Sequence, residues 1–301
     1  MAERKAHILF VSDMHYTNVV GNDELAVSYV LGATQQERLA FLNQRICEEH
    51  AKQPLDAVLI LGDYSVDDYP WRKETQGKEN YCEKYQKEFL SKLPVPVYSV
   101  AGNHDSYPNE MWLEMTGNPR QFAVEIGGIL FLMLETFRGL ASSASGSPYC
   151  GVDVAWVKEQ IAAANGKPVI LCSHYFAMKR ETEEFRTLLR ETPEIVALFQ
   201  GHSHIRSAIN LGEECGNKPL FDIGGFSYNC YHYTDTDGVE KWDFNHYDRI
   251  SAWGYQLLSM KDFAFTTEYV YPEMTYRGNN GTFHVAEDHI VHTSADSLPT
   301  E

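Results

Sequence analysis

Short apolar runs recur along the chain, and each is closed by a small or polar residue. "HILFVSD" (7–13), "AVLILGD" (57–63), "VYSVAGN" (97–103), "PVILCSH" (168–174) and "VALFQGH" (196–202) share this grammar. Runs this short do not make helices, and their unbroken apolar character suits strands buried on both faces. Helical patterns lie between them. Thr34 and Glu37 form a capping box ahead of an apolar stripe at Leu39, Leu42 and Ile46. Asp153 is placed to cap a helix carrying Trp156, Val157 and Ile161, stopped by Gly166 and Pro168. Alternating strands and helices predict an α/β fold.

The middle and the end of the chain break this alternation. "QFAVEIGGILFLMLE" (121–135) reads as two strands around a Gly-Gly turn, which adds an antiparallel element. From 219 onward the pattern is β-rich, with "PLFDIGG", "WGYQLLSM" and "FAFTTEYVY"; residues 226–253 form a long tyrosine-rich connection. There is no internal repeat and no low-complexity linker. The expectation is one α/β domain with two sheets over 1–272, followed by a polar C-terminal extension, 273–301.

Composition narrows the function classes. Hydrophobic residues make up 44% of the chain and charged residues 22%, ordinary for a globular protein. Forty-two acids against 25 Lys and Arg give a net charge of -17, which argues against broad electrostatic binding of nucleic acid or an anionic membrane. An anionic substrate then needs local positive charge, from a few basic residues or from metal ions. The six cysteines form no C-x-x-C pair and read as reduced thiols, with Cys172 a small buried hydrophobe. The charged start "MAERKAHILFVSDMH" enters a short strand directly, and no run is long enough to span a bilayer. A cytoplasmic protein is expected, monomer or homodimer alike.

The strand ends carry the candidate chemistry. In order they offer Asp13-x-His15, Gly62-Asp63, Gly102-Asn103-His104-Asp105, His174 and Gly201-His202-x-His204. Taken singly, "GD" is ordinary turn punctuation and a lone histidine is usually a satisfied hydrogen-bonding residue. "GHSH" is stronger, because two imidazoles two apart point to one side of an extended segment. Five such elements at five strand termini are hard to ascribe to turns. Imidazole and carboxylate ligands suit Zn, Fe and Mn, and a carboxylate can bridge two cations. Two cations about 3.5–4 Å apart can hold a hydroxide between them and clamp phosphate oxygens.

The ordered set D-x-H, GD, GNHD, H, GHxH resembles the calcineurin-like metallophosphoesterase superfamily over about residues 7–272. That resemblance implies a four-layer α/β/β/α sandwich with a dinuclear centre of Mn, Fe or Zn at its edge. It implies that one metal takes Asp13, His15, Asp63 and His204, and the second Asp63, Asn103, His174 and His202, with Asp63 bridging. His104 is then the residue that donates a hydrogen bond or proton to the leaving oxygen, and Asp105 its orienter.

The departures point to a branch. Protein Ser/Thr phosphatases of the superfamily read GDxVDRG and GNHE, whereas this chain reads "GDYSVDDYP" and "GNHD". The phosphate-gripping arginine after Asp63 is missing. The GNHD form is closer to class III cyclic-nucleotide phosphodiesterases and related small phosphoesterases. DNA-repair nucleases share the motifs, but the acidic composition weighs against them.

Other features carry less. His289-x-x-His292, near Asp288 and His284, reads as residues collected by a polar tail, and "DTDG" (235–238) as a hairpin turn. Tyrosines and tryptophans cluster after Asp63 and again in 226–253. They either pack on one another over the sheet edge or wall the metals for a base or apolar leaving group. Tyr64, Tyr107, Tyr175 and Tyr228 are the candidates for substrate contact. Two function classes follow: a metal-dependent hydrolase of a small or nucleotide phosphate mono- or diester, or a non-catalytic binding protein on the same fold, as in the retromer subunit. All seven ligands and His104 are present, which favours the enzyme.

Overall fold

In a computed structural model the chain is described over residues 4–16, 35–65, 80–139, 146–227, 231–234, 240–243, 254–278 and 281–300. The first part runs β1 (Lys5–Val11), α1 (Gln35–Lys52), β2 (Ala57–Leu61), α2 (Tyr81–Glu88), β3 (Val97–Val100) and α3 (Asn109–Thr116). Next come the hairpin β4 (Phe122–Ile126) and β5 (Ile129–Leu134), then α4 (Val154–Ala163), β6 (Val169–Ser173), α5 (Glu183–Glu191) and β7 (Ile195–Gln200). The third part is β-rich: β8 (Arg206–Asn210), β9 (Pro219–Ile223), β10 (Tyr231–Thr234), β11 (Glu240–Asp243), β12 (Tyr255–Lys261), β13 (Ala264–Tyr271), β14 (Met274–Gly278), β15 (Gly281–Val285) and β16 (Asp288–His292).

Twelve of these strands build two six-stranded mixed sheets, ordered β16-β13-β12-β1-β2-β3 and β4-β5-β6-β7-β9-β8, while β10-β11 and β14-β15 pair as two separate two-stranded sheets. Alternation along each central strand explains the layering. In β1, Ile8 and Phe10 face the second sheet and meet Phe131, Cys172, Phe199 and Phe221, while Leu9 and Val11 face the helices. On that outer face Leu39, Leu42 and Ile46 of α1 pack with Tyr85 of α2 and Trp112 of α3. The second sheet's outer face is covered by Val154 and Val157 of α4 and by Phe185, Leu188 and Leu189 of α5. The result is an α/β/β/α sandwich with three apolar layers, as the strand–helix alternation and the resemblance predict.

Local signals act where the sequence places them. The Asp153 carboxylate accepts from Trp156 N at 3.1 Å and starts α4. Gly127 and Gly128 both take positive φ in the β4–β5 turn, as a two-residue hairpin requires. Thr34 lies outside the described residues. Segment 273–301 is polar in sequence, yet it does more than trail from the domain. β16 pairs antiparallel with β13 and forms the edge of the first sheet, and Leu298 is buried in the inter-sheet layer. Asn210 N donates to Pro299 O at 2.8 Å, tying the chain's last described residues to β8.

In each sheet the parallel strands end on the same side. β1, β2 and β3 are parallel neighbours, as are β5, β6, β7 and β9. The carboxyl ends of parallel strands are where α/β sheets place their sites. Asp13, Asp63, Asn103, His174 and His202 each follow such an end.

Candidate dinuclear metal site

The turns after these strands are conformationally unusual. Asp13, His15, Asp63, His202 and His204 all have positive φ, between 45° and 72°. Left-handed backbone at non-glycine residues is sparse and costs of order 1–3 kcal/mol where nothing compensates it, so its concentration on five expected ligands marks the site. Neighbouring glycines make room for it. A Cβ on Gly102 would lie 2.1 Å from Asp63 Oδ1, and one on Gly201 would lie 1.9 Å from Ser12 Oγ.

The side chains converge in two groups, Asp13–His15–His204 and Asp63–His174–His202, each with its ligand atoms within 4.8 Å of one another. In the first, His204 Nε2 lies 2.9 Å from His15 Nε2 and 3.2 Å from Asp13 Oδ1. In the second, His174 Nε2 lies 3.2 Å from Asp63 Oδ2, 3.1 Å from Asn103 Oδ1 and 3.2 Å from His202 Nδ1. Asp63 Oδ2 is also 3.7 Å from His15 Nε2, so Asp63 stands between the groups. Six of the seven side chains are buried, and His202 is partly exposed. The site therefore opens toward His202 and the half-buried His104.

The donor set fits cations. Asp13 Oδ1 is buried and receives no well-directed hydrogen bond. The oxygens of Asp63 and Asn103 are acceptors, and His174 faces them with Nε2 because its Nδ1 is engaged by Leu61 O at 2.6 Å. A cluster of buried lone pairs is costly unless a cation or proton sits among them. Electrostatics agrees. Burial drives His15 down to about 4, and burial with the neighbouring His174 drives His202 down to about 3, so both imidazoles are neutral and available. Burial alone would lower His174 as well, but Asp63 and Asp13 outweigh it and raise His174 to about 9. Asp13 is held well below the carboxylate range, because His204 and His174 outweigh its own desolvation.

Asp105 does not do what its place in the motif suggests. Its Oδ2 accepts from Asp63 N at 2.7 Å and Gly102 N at 2.9 Å, and its Oδ1 accepts from Tyr64 N at 2.9 Å. The carboxylate points into the backbone of two strand-end turns and clamps them together, and among the described residues its hydrogen bonds go to backbone and not to the His104 ring. Burial, and then the Asp63 charge, raise it to about 6 against those hydrogen bonds. His104 itself sits beside the cluster, its backbone N–H donating to Asp63 Oδ1 at 2.9 Å and its ring 5.4 Å from that of His15.

The four tyrosine candidates separate. Tyr64 is fully buried, hydrogen-bonded to Ser99 and packed on Tyr85 and Trp112, so it belongs to the core. Tyr107 is buried with its hydroxyl 3.0 Å from Ser65 Oγ. Neither ring is exposed. Tyr228 lies outside the described residues. Of the three described candidates Tyr175 is the one partly exposed at the site, its ring 4.6 Å from His202. Phe137 packs against both His174 and His202, and Tyr149 against Phe137 and Tyr175. His289 and His292 do not converge: the first pairs with Glu268 and Glu287, the second with Arg206.

Two buried arginines support the site without any sequence signal. Arg38 of α1 donates to Met14 O, between Asp13 and His15. Arg120 donates to the carbonyls of Asp105 and Tyr107 at 3.0 and 3.2 Å and to Glu135 at 2.5 Å. The residues they hold lie far away in sequence and belong to no motif with them.

The chain belongs to the calcineurin-like phosphoesterase family, whose model matches residues 6–206. Among solved structures it is similar to a dimetal phosphatase from Danio rerio, with a TM-score of 0.57 and 12% identity, covering 95% of this chain and 98% of that one. It also aligns with the calcineurin-like phosphoesterase YfkN from Bacillus subtilis (TM-score 0.44, 12% identity, 100% of this chain and 93% of that one). A third is Vacuolar Protein Sorting 29 from Cryptosporidium parvum (TM-score 0.36, 12% identity, 96% and 100%). Among curated protein sequences none matches. At such identity the zebrafish likeness speaks to the fold. Among the described residues no helix is long and apolar enough to cross a membrane.

Proposed function

We propose that this protein is a metal-dependent phosphoesterase that hydrolyses a phosphate mono- or diester of a small molecule or nucleotide. The observation that carries the proposal is the pair of ligand groups meeting at Asp63. Asp13, His15, Asp63 and His204 are assigned to one cation and Asp63, Asn103, His174 and His202 to the other. When bound, Mn, Fe or Zn at this pair supplies Lewis acidity toward phosphate oxygens and an activated water.

The chain's own residues do the rest. Asp105 and Arg120 fix the turn that carries Asn103 and His104. His104, half-buried at the opening, is placed to give a hydrogen bond or proton to the leaving oxygen. Tyr175, beside His202, offers a ring face to the leaving group. The net charge of -17 leaves phosphate attraction to the site and not to the surface.

A turnover screen tests this reading. Metal-stripped protein reloaded with Mn, Fe or Zn is assayed against nitrophenyl mono- and diesters, nucleotides and cyclic nucleotides. Metal-dependent turnover of a phosphoester is expected. Two bound metals with no turnover of any ester would point instead to a binding protein on this fold.

A further inference from the structure

Below the ligand cluster, Gln200 and Asp222 are register partners at the ends of β7 and β9, and both are buried. Phe176 N donates to Gln200 Oε1 at 2.8 Å. Gln200 Nε2 donates to Asp222 Oδ2 at 2.9 Å, and Gly224 N donates to Asp222 Oδ1 at 3.2 Å. The polarity of this chain is fixed at both ends. A backbone N–H only donates, so the amide oxygen must face Phe176, its NH₂ must face residue 222, and residue 222 must accept with both oxygens.

Each anchor adjoins a ligand. Phe176 is two residues beyond His174, Gln200 is two residues before His202, and Gly224 precedes Gly225, where an added Cβ would lie 3.1 Å from Asp13 Cβ. Gly201 N also donates to His174 O at 2.9 Å. One short relay thus ties together turns that carry ligands of both groups, and among the described residues it hydrogen-bonds to no ligand side chain. It is an expensive way to fill space. Asp222 is a buried carboxylate whose hydrogen-bond partners are all uncharged, and burial raises it to about 7 against the bonds from Gln200, Ser203 and Gly224. An apolar pair would pack between these strands at less cost.

We propose that Gln200 and Asp222 are positioning residues for the dinuclear centre, setting the spacing of the His174 turn against the His202–His204 turn. This rests on the metal-dependent reading above. Groups that hydrogen-bond a metal's ligands change its affinity about 10–100-fold, and a relay that acts through the ligand-bearing turns belongs at the lower end of that range.

The fixed polarity supplies the test. Gln200→Glu sets two carboxylates against each other, and Asp222→Asn turns a donor toward a donor. The double variant Gln200→Glu/Asp222→Asn restores the pattern: the new carboxylate accepts from Phe176 N and from the new amide, whose oxygen accepts from Gly224 N. Manganese(II) affinity is read by titration calorimetry, and the coupling of the two bound ions by electron paramagnetic resonance at saturating metal. A loss of fold alone does not move the second readout in protein that is folded and saturated.

Each single variant is expected to bind manganese about 10-fold more weakly with an altered coupled signal, and the double variant to recover both. Gln200→Ala, which breaks the relay without opposing charges, is read at a temperature where it is folded and should match the single variants. Single variants with wild-type affinity and signal would overturn the proposal. So would a double variant as stable as wild type that fails to recover. Wild-type protein that binds no manganese would overturn the metal-dependent reading as well, which separates the two failures.

Discussion

His174 Nδ1 lies 2.6 Å from the carbonyl of Leu61, the last residue of β2. A carbonyl accepts only, so Nδ1 carries the hydrogen and Nε2 is the atom turned toward Asp63, Asn103 and His202. One imidazole thus fastens the second sheet to the first with one nitrogen and offers a metal its other. The two duties can be separated. In His174→Asn the side-chain amide can keep the bond to Leu61 but cannot extend to the Nε2 position. Without metal the variant is expected to unfold within a few degrees of metal-free wild type; after reloading it is expected to hold one metal where wild type holds two. Thermal unfolding and elemental analysis check this, and two metals in the variant would remove His174 from the ligand set.

Asp63→Ala should be more damaging to occupancy than loss of any terminal ligand. Asp63 Oδ2 is 3.2 Å from His174 Nε2 and 3.7 Å from His15 Nε2, so one carboxylate serves both groups. The expected variant holds neither metal at stoichiometric loading and has lost its turnover. A variant retaining two metals would mean that the centres do not share this residue.

Asp105→Asn is expected to act on stability first. Its carboxylate accepts three backbone N–H bonds, from Asp63, Tyr64 and Gly102, and an amide turns an NH₂ group into part of that donor set. An amide oxygen at the Oδ2 place keeps the bonds from Asp63 N and Gly102 N and loses the one from Tyr64 N, so with hydrogen bonds to a buried charge worth about 1.5–3 kcal/mol each the loss should be roughly 1.5–3 kcal/mol. Chemical denaturation of the metal-free protein measures it. Unchanged stability with selectively impaired turnover would restore Asp105 as the partner of His104.

The sequence exposes the frame of this site and hides its supports, for physical reasons. Strands buried on both faces read as unbroken apolar runs, and the residue after such a run is a strand end, so Asp13, Asp63, Asn103, His174 and His202 are visible. Adjacency misleads where the backbone turns. Asp105 follows His104 in the chain, but its carboxylate points the other way, into N–H groups that no periodicity marks. Tyr64 follows Asp63, yet its ring enters the core. β16 is polar because it is an edge strand with one exposed side, and only its pairing with β13 makes it a strand. Arg38 and Arg120 act across folds of the chain that composition does not reveal.

His7 gives the fold a pH dependence of its own, remote from the metal groups. It is half-buried, and burial lowers its pKa against the raising influence of Asp56, Glu49 and Glu268. The unfolded chain therefore binds a proton on this residue more readily than the folded one. Stability should fall as pH drops through the unfolded value near 6.5 toward the lower folded value, with no effect well above it. His7→Gln, which can still meet Ser259, should lose less stability between pH 7.5 and 5.5 than wild type does. Parallel losses in the two proteins would mean that His7 charges freely in the folded state.

His104 is the residue proposed to protonate the leaving oxygen. It is half-buried at the opening, held by its own N–H to Asp63 Oδ1, and belongs to neither ligand group. His104→Ala should therefore keep both metals and the fold while losing roughly 10²–10⁴ in turnover, the scale of general acid–base catalysis. The loss should depend on the leaving group. An ester that departs as nitrophenolate needs little protonation and should suffer least; one that departs as an alkoxide should suffer most. Because Asp105 is bound to backbone and not to this imidazole, Asp105→Asn should not reproduce that dependence in protein that remains folded and metal-loaded. Steady-state kinetics on a series of esters with graded leaving groups decides the matter. Equal losses across the series would make His104 a phosphate-binding residue and leave protonation of the leaving oxygen to another group.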